Sequence, residues 1–262
     1  MSDAILSMLS QPLWVFLAVL ARISPPLMMT PPTRSTSVPK RVRAFIAITF
    51  SALVAPMAST HATPMPGDLL NIAIALANEV ILGILLGSIV MLAFASLQLA
   101  GQTVGHLAGY DSVTGVDPSG DEEMPVISSM LGWLAMAIFI IIGGHRQLLD
   151  CCMESFTHYP IGSVQFQTSW LDELDSVMRH TLVIGIRAAA PMATALLLAN
   201  LVTGLLARTL PQLNVLAIGF NINALAMLML LSVSMGGMAW VFQDELSVWL
   251  ESCTRISRSG AS

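Results

Sequence analysis

Two segments of this chain, Pro125–Gly144 and Val215–Phe242, contain no charged residue at all. Each is long enough to satisfy the requirement of about 20 apolar residues for a helix to cross about 30 Å of hydrocarbon. Four more apolar runs accompany them, each carrying a polar or proline interruption. Leu13–Met29 holds Arg22 and Pro25-Pro26, and Ala44–Ala58 holds Pro56. Leu69–Ala100 holds Asn71, Asn78 and Glu79, and Thr181–Leu206 holds Arg187, Pro191 and Asn200. The whole composition agrees: 55% of residues are hydrophobic and 10% charged, against about 25% charged in a soluble domain. Such a chain cannot cover a surface facing water. The runs lack the period-two alternation of a membrane barrel, and backbone groups in hydrocarbon must pair locally. Strands are therefore not expected. The reading is an all-α, polytopic helical membrane protein of about six apolar helical runs, several broken or kinked. Breaks are expected at Pro25-Pro26 and, because Leu69–Ala100 is too long for one upright crossing, near Gly83 or Gly87.

The connections refine this picture. His61–Asp68 reads as a proline- and glycine-containing turn. His145–His180 is the one large polar segment, and within it Leu149, Cys152, Met153 and Phe156 fall at helical spacing, as do Trp170, Leu174 and Met178. Two short amphipathic helices lying on a surface are expected there. The stretch after Phe242, with Leu246, Trp249 and Leu250 on one side, reads as a third. The basic cluster Arg34, Lys40, Arg41 and Arg43 should lie in the cytoplasm, which puts the N-terminus outside. The opening lacks a basic region and a small-residue cleavage site, so no cleaved leader is expected. One domain, 1–262, is expected: N-terminal hydrophobic helices over 13–100, a loop over 105–124, and C-terminal hydrophobic helices over 125–243 containing the amphipathic segment 145–180.

Enzymatic chemistry finds little support. GxSxG, HExxH and GxxxxGK[ST] are absent from the sequence. The histidines at 61, 106, 145, 158 and 180 are scattered, without metal-ligand spacing. No cofactor is expected. A net charge of −5 argues against nucleic acid as a partner. Cys151, Cys152 and Cys253 are odd in number and lack CxxC spacing, which argues against a disulfide framework or a zinc site and suits small apolar fillers.

The polar groups inside the apolar runs say more. A charge at mid-bilayer costs roughly 2.5–3.5 kcal/mol on insertion scales, so it faces protein or water and finds a partner. Glu79 and Arg187 are read as lining a polar conduit, or as pairing with each other or with a neighbouring subunit. Gln98, Gln102 and Asn200 are read as hydrogen-bonding between helices. Gly83 and Gly87 form a GxxxG that lets another helix approach closely. The 17 methionines suit flexible filling or a deformable seal. Gly105–Met124, GHLAGYDSVTGVDPSGDEEM, is a long loop without expected secondary structure. Such loops are uncommon unless functional or disordered, so it is read either as a solvated connector or as a mobile constriction.

Several stretches resemble the FliR family of flagellar export proteins and its injectisome counterparts. Leu196–Phe220, LLLANLVTGLLARTLPQLNVLAIGF, is similar to a family pattern at Asn200, Leu201, Gly204, Arg208, Pro211, Gln212, Asn214, Gly219 and Phe220, among others. LQLAGQTVG at Leu97–Gly105, VDPSG at Val116–Gly120, GH and the following residues to Phe156, and ARISPPLMMTPP from Ala21 also resemble it, in order. Asn221 stands where the family often has proline. The resemblance implies a non-catalytic subunit of a helical, hetero-oligomeric export gate in the bacterial inner membrane, at the flagellar basal body. It implies FliP-like and FliQ-like subunits and a FlhB-like switch protein as partners, with membrane lipid around and unfolded flagellar substrates in transit. The loop carrying Gly105, Gly109, Tyr110, Asp111, Gly115, Asp117, Pro118 and Gly120 is implied to help close the pore. Glu79, Gly83, Gly87, Gln98, Gln102, Arg187, Asn200, Arg208, Pro211, Gln212 and Asn214 are the expected helix-packing or subunit contacts. An injectisome export subunit, a small secondary transporter with a site at Glu79 and Arg187, and a membrane enzyme are the competing readings.

Overall fold

Helix dominates the computed structural model, which describes residues 2–30, 39–109, 114–116, 123–209 and 215–258. In order, the helices are α1 (Ser2–Met29), α2 (Lys40–Ala58), α3 (Leu69–Ala108), α4 (Val126–Ile142), α5 (Gly144–His158), α6 (Thr168–Thr209) and α7 (Val215–Arg258). A short 3₁₀ turn, Ser59–His61, closes α2. Five of the helices contain a span long and apolar enough to cross a membrane. Large apolar side chains stand exposed on them, among them Leu53 at 71%, Val233 at 83% and Trp240 at 68%. Exposed apolar area on this scale marks a surface made for lipid or for other proteins.

The interruptions do not break the helices as expected. α1 runs through Pro12, Pro25 and Pro26. Proline removes the backbone donor that the carbonyl four residues earlier would use, so Pro26 frees the carbonyl of Arg22. α1 ends one turn later, where the Thr30 hydroxyl donates to the carbonyls of Pro26 and Leu27, both at 3.0 Å. α3 is also unbroken, passing through Gly83 and Gly87 for 40 residues, roughly 60 Å at ~1.5 Å per residue. α6 continues through Pro191, and α7 through Asn221. A real break comes elsewhere. Gly143 sits at φ 75°, a left-handed conformation that side chains resist. α4 ends at Ile142 and α5 begins at Gly144. The uncharged run Pro125–Gly144 therefore yields a helix of only 17 residues, shorter than the clean crossing expected of it.

The polar segment 145–180 also differs. Its first half is α5, whose buried stripe is Leu148, Cys151, Cys152, Ser155 and Phe156. Its second half is not a separate helix but the opening of α6, burying Trp170 and Val177 while Met178 stays exposed. Within the expected loop after the third run, α3 extends to Ala108, and strands β1 (Thr114–Val116) and β2 (Glu123–Pro125) pair antiparallel, Gly115 opposite Met124. This ribbon of two three-residue strands is a local departure from the expectation of no strands, and the all-α, polytopic reading holds.

The chain divides into two units, Met1–Leu92 with Gly143–Met178 and Ser247–Ser262, and Ala93–Ile142 with Arg179–Leu246. In the first, α1 packs on α2. Its core gathers Trp14, Val15, Ala18, Val19 and Ile23 of α1 with Val54 and Ala58 of α2, Phe156 of α5, and Ile161. In the second, Phe94 meets Phe139 edge-on at 5.4 Å and Phe242 at 6.1 Å between ring centroids, within the range where such pairs attract. Its helices also approach closely at glycine. A Cβ on Gly101 of α3 would lie 2.5 Å from Ser128 Cα of α4, and one on Gly185 of α6 would lie 2.9 Å from the Ser96 carbonyl oxygen.

Candidate functional site

Arg22 and Glu79 sit in apolar helices and both are 0% exposed. Neither charge could remain buried without compensation. The structure provides it mutually: Arg22 Nε donates to Glu79 Oε2 at 2.6 Å. The rest of the guanidinium is spent on the C-terminal end of α5. Nη1 donates to the carbonyls of Ser155 and Tyr159, both at 3.0 Å, and to Ser155 Oγ at 3.3 Å. Helix C-termini leave carbonyls without donors and carry partial negative charge, so a cation belongs there. The guanidinium carbon also lies 4.3 Å from the centre of the Phe156 ring, where a cation is attracted to the ring face. Nη2 has no hydrogen-bond partner among the described residues.

Glu79 reaches a second backbone element. Its Oε1 accepts the N–H of Gly162 at 3.1 Å. Gly162 is held at φ 81°, and a Cβ there would overlap the Thr63 hydroxyl. The same connection is tied at further points. Asn78 Nδ2 donates to the Val164 carbonyl at 3.0 Å, and the Thr63 N–H and hydroxyl both donate to the Ile161 carbonyl, at 3.0 and 2.7 Å. Gln11 Nε2 donates to the Thr63 carbonyl at 3.1 Å while its Oε1 accepts the Met65 N–H at 2.9 Å. One buried ion pair thus clamps α1, α3 and the exit of α5 together.

Directly beside it, the GxxxG of α3 brings α1 in. A Cβ on Gly83 would overlap the Arg22 carbonyl oxygen, the group that Pro26 leaves without a helical donor, and would lie 3.1 Å from Pro25 Cδ. A Cβ on Gly87 would lie 2.9 Å from Pro26 Cα. Proline and glycine are complementary here: bare backbone on one helix accommodates the irregular turn of the other.

The expected Glu79–Arg187 pair is therefore corrected. Glu79 pairs with Arg22, the charge that interrupts the first apolar run. Arg187 is exposed on α6. It lines a half-open recess of about 440 Å³ with Pro191, Trp240, Asp244 and Glu245. Glu245 Oε2 lies 2.7 Å from His180 Nε2. Asn200 Nδ2 donates to the Leu107 carbonyl at 2.9 Å, joining α6 to the last turn of α3. Gln98 is buried and its carbonyl accepts the Ser128 hydroxyl at 2.9 Å. Gln102 is half-buried and Arg208 exposed. Gly105 is buried within the end of α3, Gly109 follows it at φ 79°, and Gly115 lies in β1. Tyr110, Asp111, Asp117, Pro118, Gly120, Pro211, Gln212 and Asn214 lie outside the described residues.

Small apolar fillers by their spacing, two of the three cysteines are brought together by the fold. Cys151 Sγ of α5 and Cys253 Sγ of α7 lie 2.7 Å apart, both buried. Among the described residues no group of three or more His, Cys, Asp or Glu is placed to hold a metal ion.

With this geometry in place, kinship decides the family. The model of the bacterial export proteins, family 1, matches residues 13–248. The chain belongs to this family. It is 32% identical to the flagellar biosynthetic protein FliR of Escherichia coli, over 85% of this chain and 83% of that one. With FliR of Pectobacterium carotovorum it shares 29% identity over 82% and 80%. The Yop proteins translocation protein T of Yersinia pestis is 27% identical over 62% and 64%. The matched range of the export family contains Arg22, Glu79, Gly83, Gly87, Ser155 and Tyr159. The chain is thus a multi-pass, helical bacterial export protein.

Proposed function

We propose that this chain is the FliR-type subunit of a flagellar type III export gate, a non-catalytic part of the conduit through which unfolded flagellar proteins leave the cell. The observation that carries this reading is the 32% identity to a flagellar biosynthetic protein over 85% of the chain. The injectisome reading rests on a shorter match, 62% of the chain at 27%. The transporter reading loses its proposed site, because Glu79 is neutralised by Arg22 and buried.

The physical organisation fits a gate subunit. Arg22, Glu79, Asn78 and Asn200 tie its helices to other parts of the chain, and large apolar side chains stand exposed on α2, α6 and α7. FliP-like and FliQ-like subunits are the partners proposed for those faces, with a FlhB-like switch protein beside them and lipid around the assembly. The proposed location is the inner membrane at the basal body. The segment Gly105–Met124 is proposed as the closing element of the pore, and Glu79, Gly83 and Gly87 as the clamp that holds α1 and α3. Deleting the gene tests the function: loss of filaments and of swimming is expected, and a deletion strain that swims normally refutes the reading.

A further inference from the structure

Cys151 and Cys253 are 102 positions apart in sequence, yet their sulfurs lie 2.7 Å from each other. That is well inside the roughly 3.5–4.0 Å at which non-bonded heavy atoms rest. Cys151 is 2% and Cys253 0% exposed, and both belong to the same unit. Cys152, next to Cys151 on α5, is equally buried. Consecutive residues of a helix project roughly 100° apart, and the sulfur contact with Cys253 is made by Cys151. The last turns of α7 are also tied to this unit through Arg255 and Glu173 of α6, at 2.8 Å. That pair is partly exposed, and exposed ion pairs contribute little.

From this placement we infer that Cys151 and Cys253 form a disulfide in the mature protein, which staples the end of α7 to α5. Both thiols are buried once the helices have packed, so Cys253 meets the oxidant before α7 docks, and docking then brings Cys151 to it. The oxidant is a protein of the thiol–disulfide exchange class, in an oxidising compartment. The Cys253 thiolate attacks one sulfur of the oxidant's disulfide. A mixed disulfide forms and the oxidant's other sulfur leaves as a thiolate. The Cys151 thiolate then attacks the Cys253 sulfur, the Cys151–Cys253 bond forms, and the second oxidant thiolate leaves. Two electrons and two protons pass from the chain to the oxidant, which ends as a dithiol. Burial afterwards shields the bond from reductant. Cys152 stays a thiol.

The test uses the full chain, expressed with its co-encoded membrane partners. Membranes are denatured in the presence of a first alkylating reagent, then reduced and treated with a second, isotopically heavier one. Each cysteine is read by mass spectrometry. The expected result is the second label on Cys151 and Cys253 and the first on Cys152. In the Cys253→Ser variant Cys151 moves to the first label, while Cys152→Ala leaves the pair unchanged. First label on Cys151 and Cys253 of the unaltered chain overturns the inference, as does an unreduced peptide joining Cys151 to Cys152.

Discussion

Removing Arg22 should damage this protein more than removing Glu79, although the two form one ion pair. In Arg22→Met the Glu79 carboxyl group is left fully buried without its cation, keeping the Gly162 N–H on Oε1. The Tyr159 carbonyl loses the Arg22 donor as well. An uncompensated buried charge of this kind costs about 3–5 kcal/mol. In Glu79→Gln the guanidinium keeps the Ser155 and Tyr159 carbonyls, the Ser155 hydroxyl and the Phe156 ring. Hydrogen bonds to charged groups contribute roughly 1.5–3 kcal/mol each, so the loss there should be about 2–3 kcal/mol. The double variant Arg22→Met/Glu79→Leu removes both charges and replaces them with apolar groups of similar size. Such exchanges are neutral or stabilising, so stability should return to within about 1 kcal/mol of the parent. The assay is the unfolding midpoint of the purified protein in one detergent, together with its level in the membrane. The two single losses should therefore be strongly non-additive. A double variant that loses the sum of the two single losses would refute the clamp. So would rescue of Glu79→Ala by Arg187→Ala, because Arg187 is exposed and Glu79 is engaged elsewhere.

Three further outcomes are expected. Gly83→Ala normally strengthens a helix by about 1 kcal/mol, but here its Cβ would overlap the Arg22 carbonyl oxygen. It should instead destabilise by roughly 1–3 kcal/mol, while Gly236→Ala, with no neighbouring atom within 4 Å, should stabilise slightly in the same thermal assay. Asn200→Leu removes the donor to the Leu107 carbonyl and should cost about 1–3 kcal/mol, read as a lowered unfolding midpoint. Shortening the segment Gly105–Met124 should make the membrane leak small ions, and unchanged permeability and secretion would return that segment to the role of a connector.

The apolar runs were legible because hydrocarbon leaves the backbone one choice: a long uncharged run must become a helix. Where those helices end was less legible. Pro25 and Pro26 look like a break, yet α1 continues because the carbonyl that Pro26 frees meets the bare backbone of Gly83 on another helix. No local pattern reports that compensation. Gly143, one of a pair of glycines after an apolar run, does break the chain, and only its left-handed backbone reveals it. Glu79 was recognisable as a charge in need of a partner, but Arg22 and Arg187 satisfied the same description. The choice between them rests on the fold, which brings the α5 carbonyls of Ser155 and Tyr159 to Arg22. Sequence spacing likewise separated Cys151 from Cys253, and only the packing of α7 joins them. The family pattern supplied what physical periodicity could not, the order of motifs from Ala21 to Phe220.

The exposed apolar faces of α2, α6 and α7 are the proposed seats of sister subunits. Co-purifying the chain with its co-encoded membrane partners, and weighing the intact assembly by native mass spectrometry, tests this most directly. One copy of this chain bound to several copies of smaller helical export-gate subunits is the predicted result. A stable monomer that moves a small solute across vesicles unaided would contradict it.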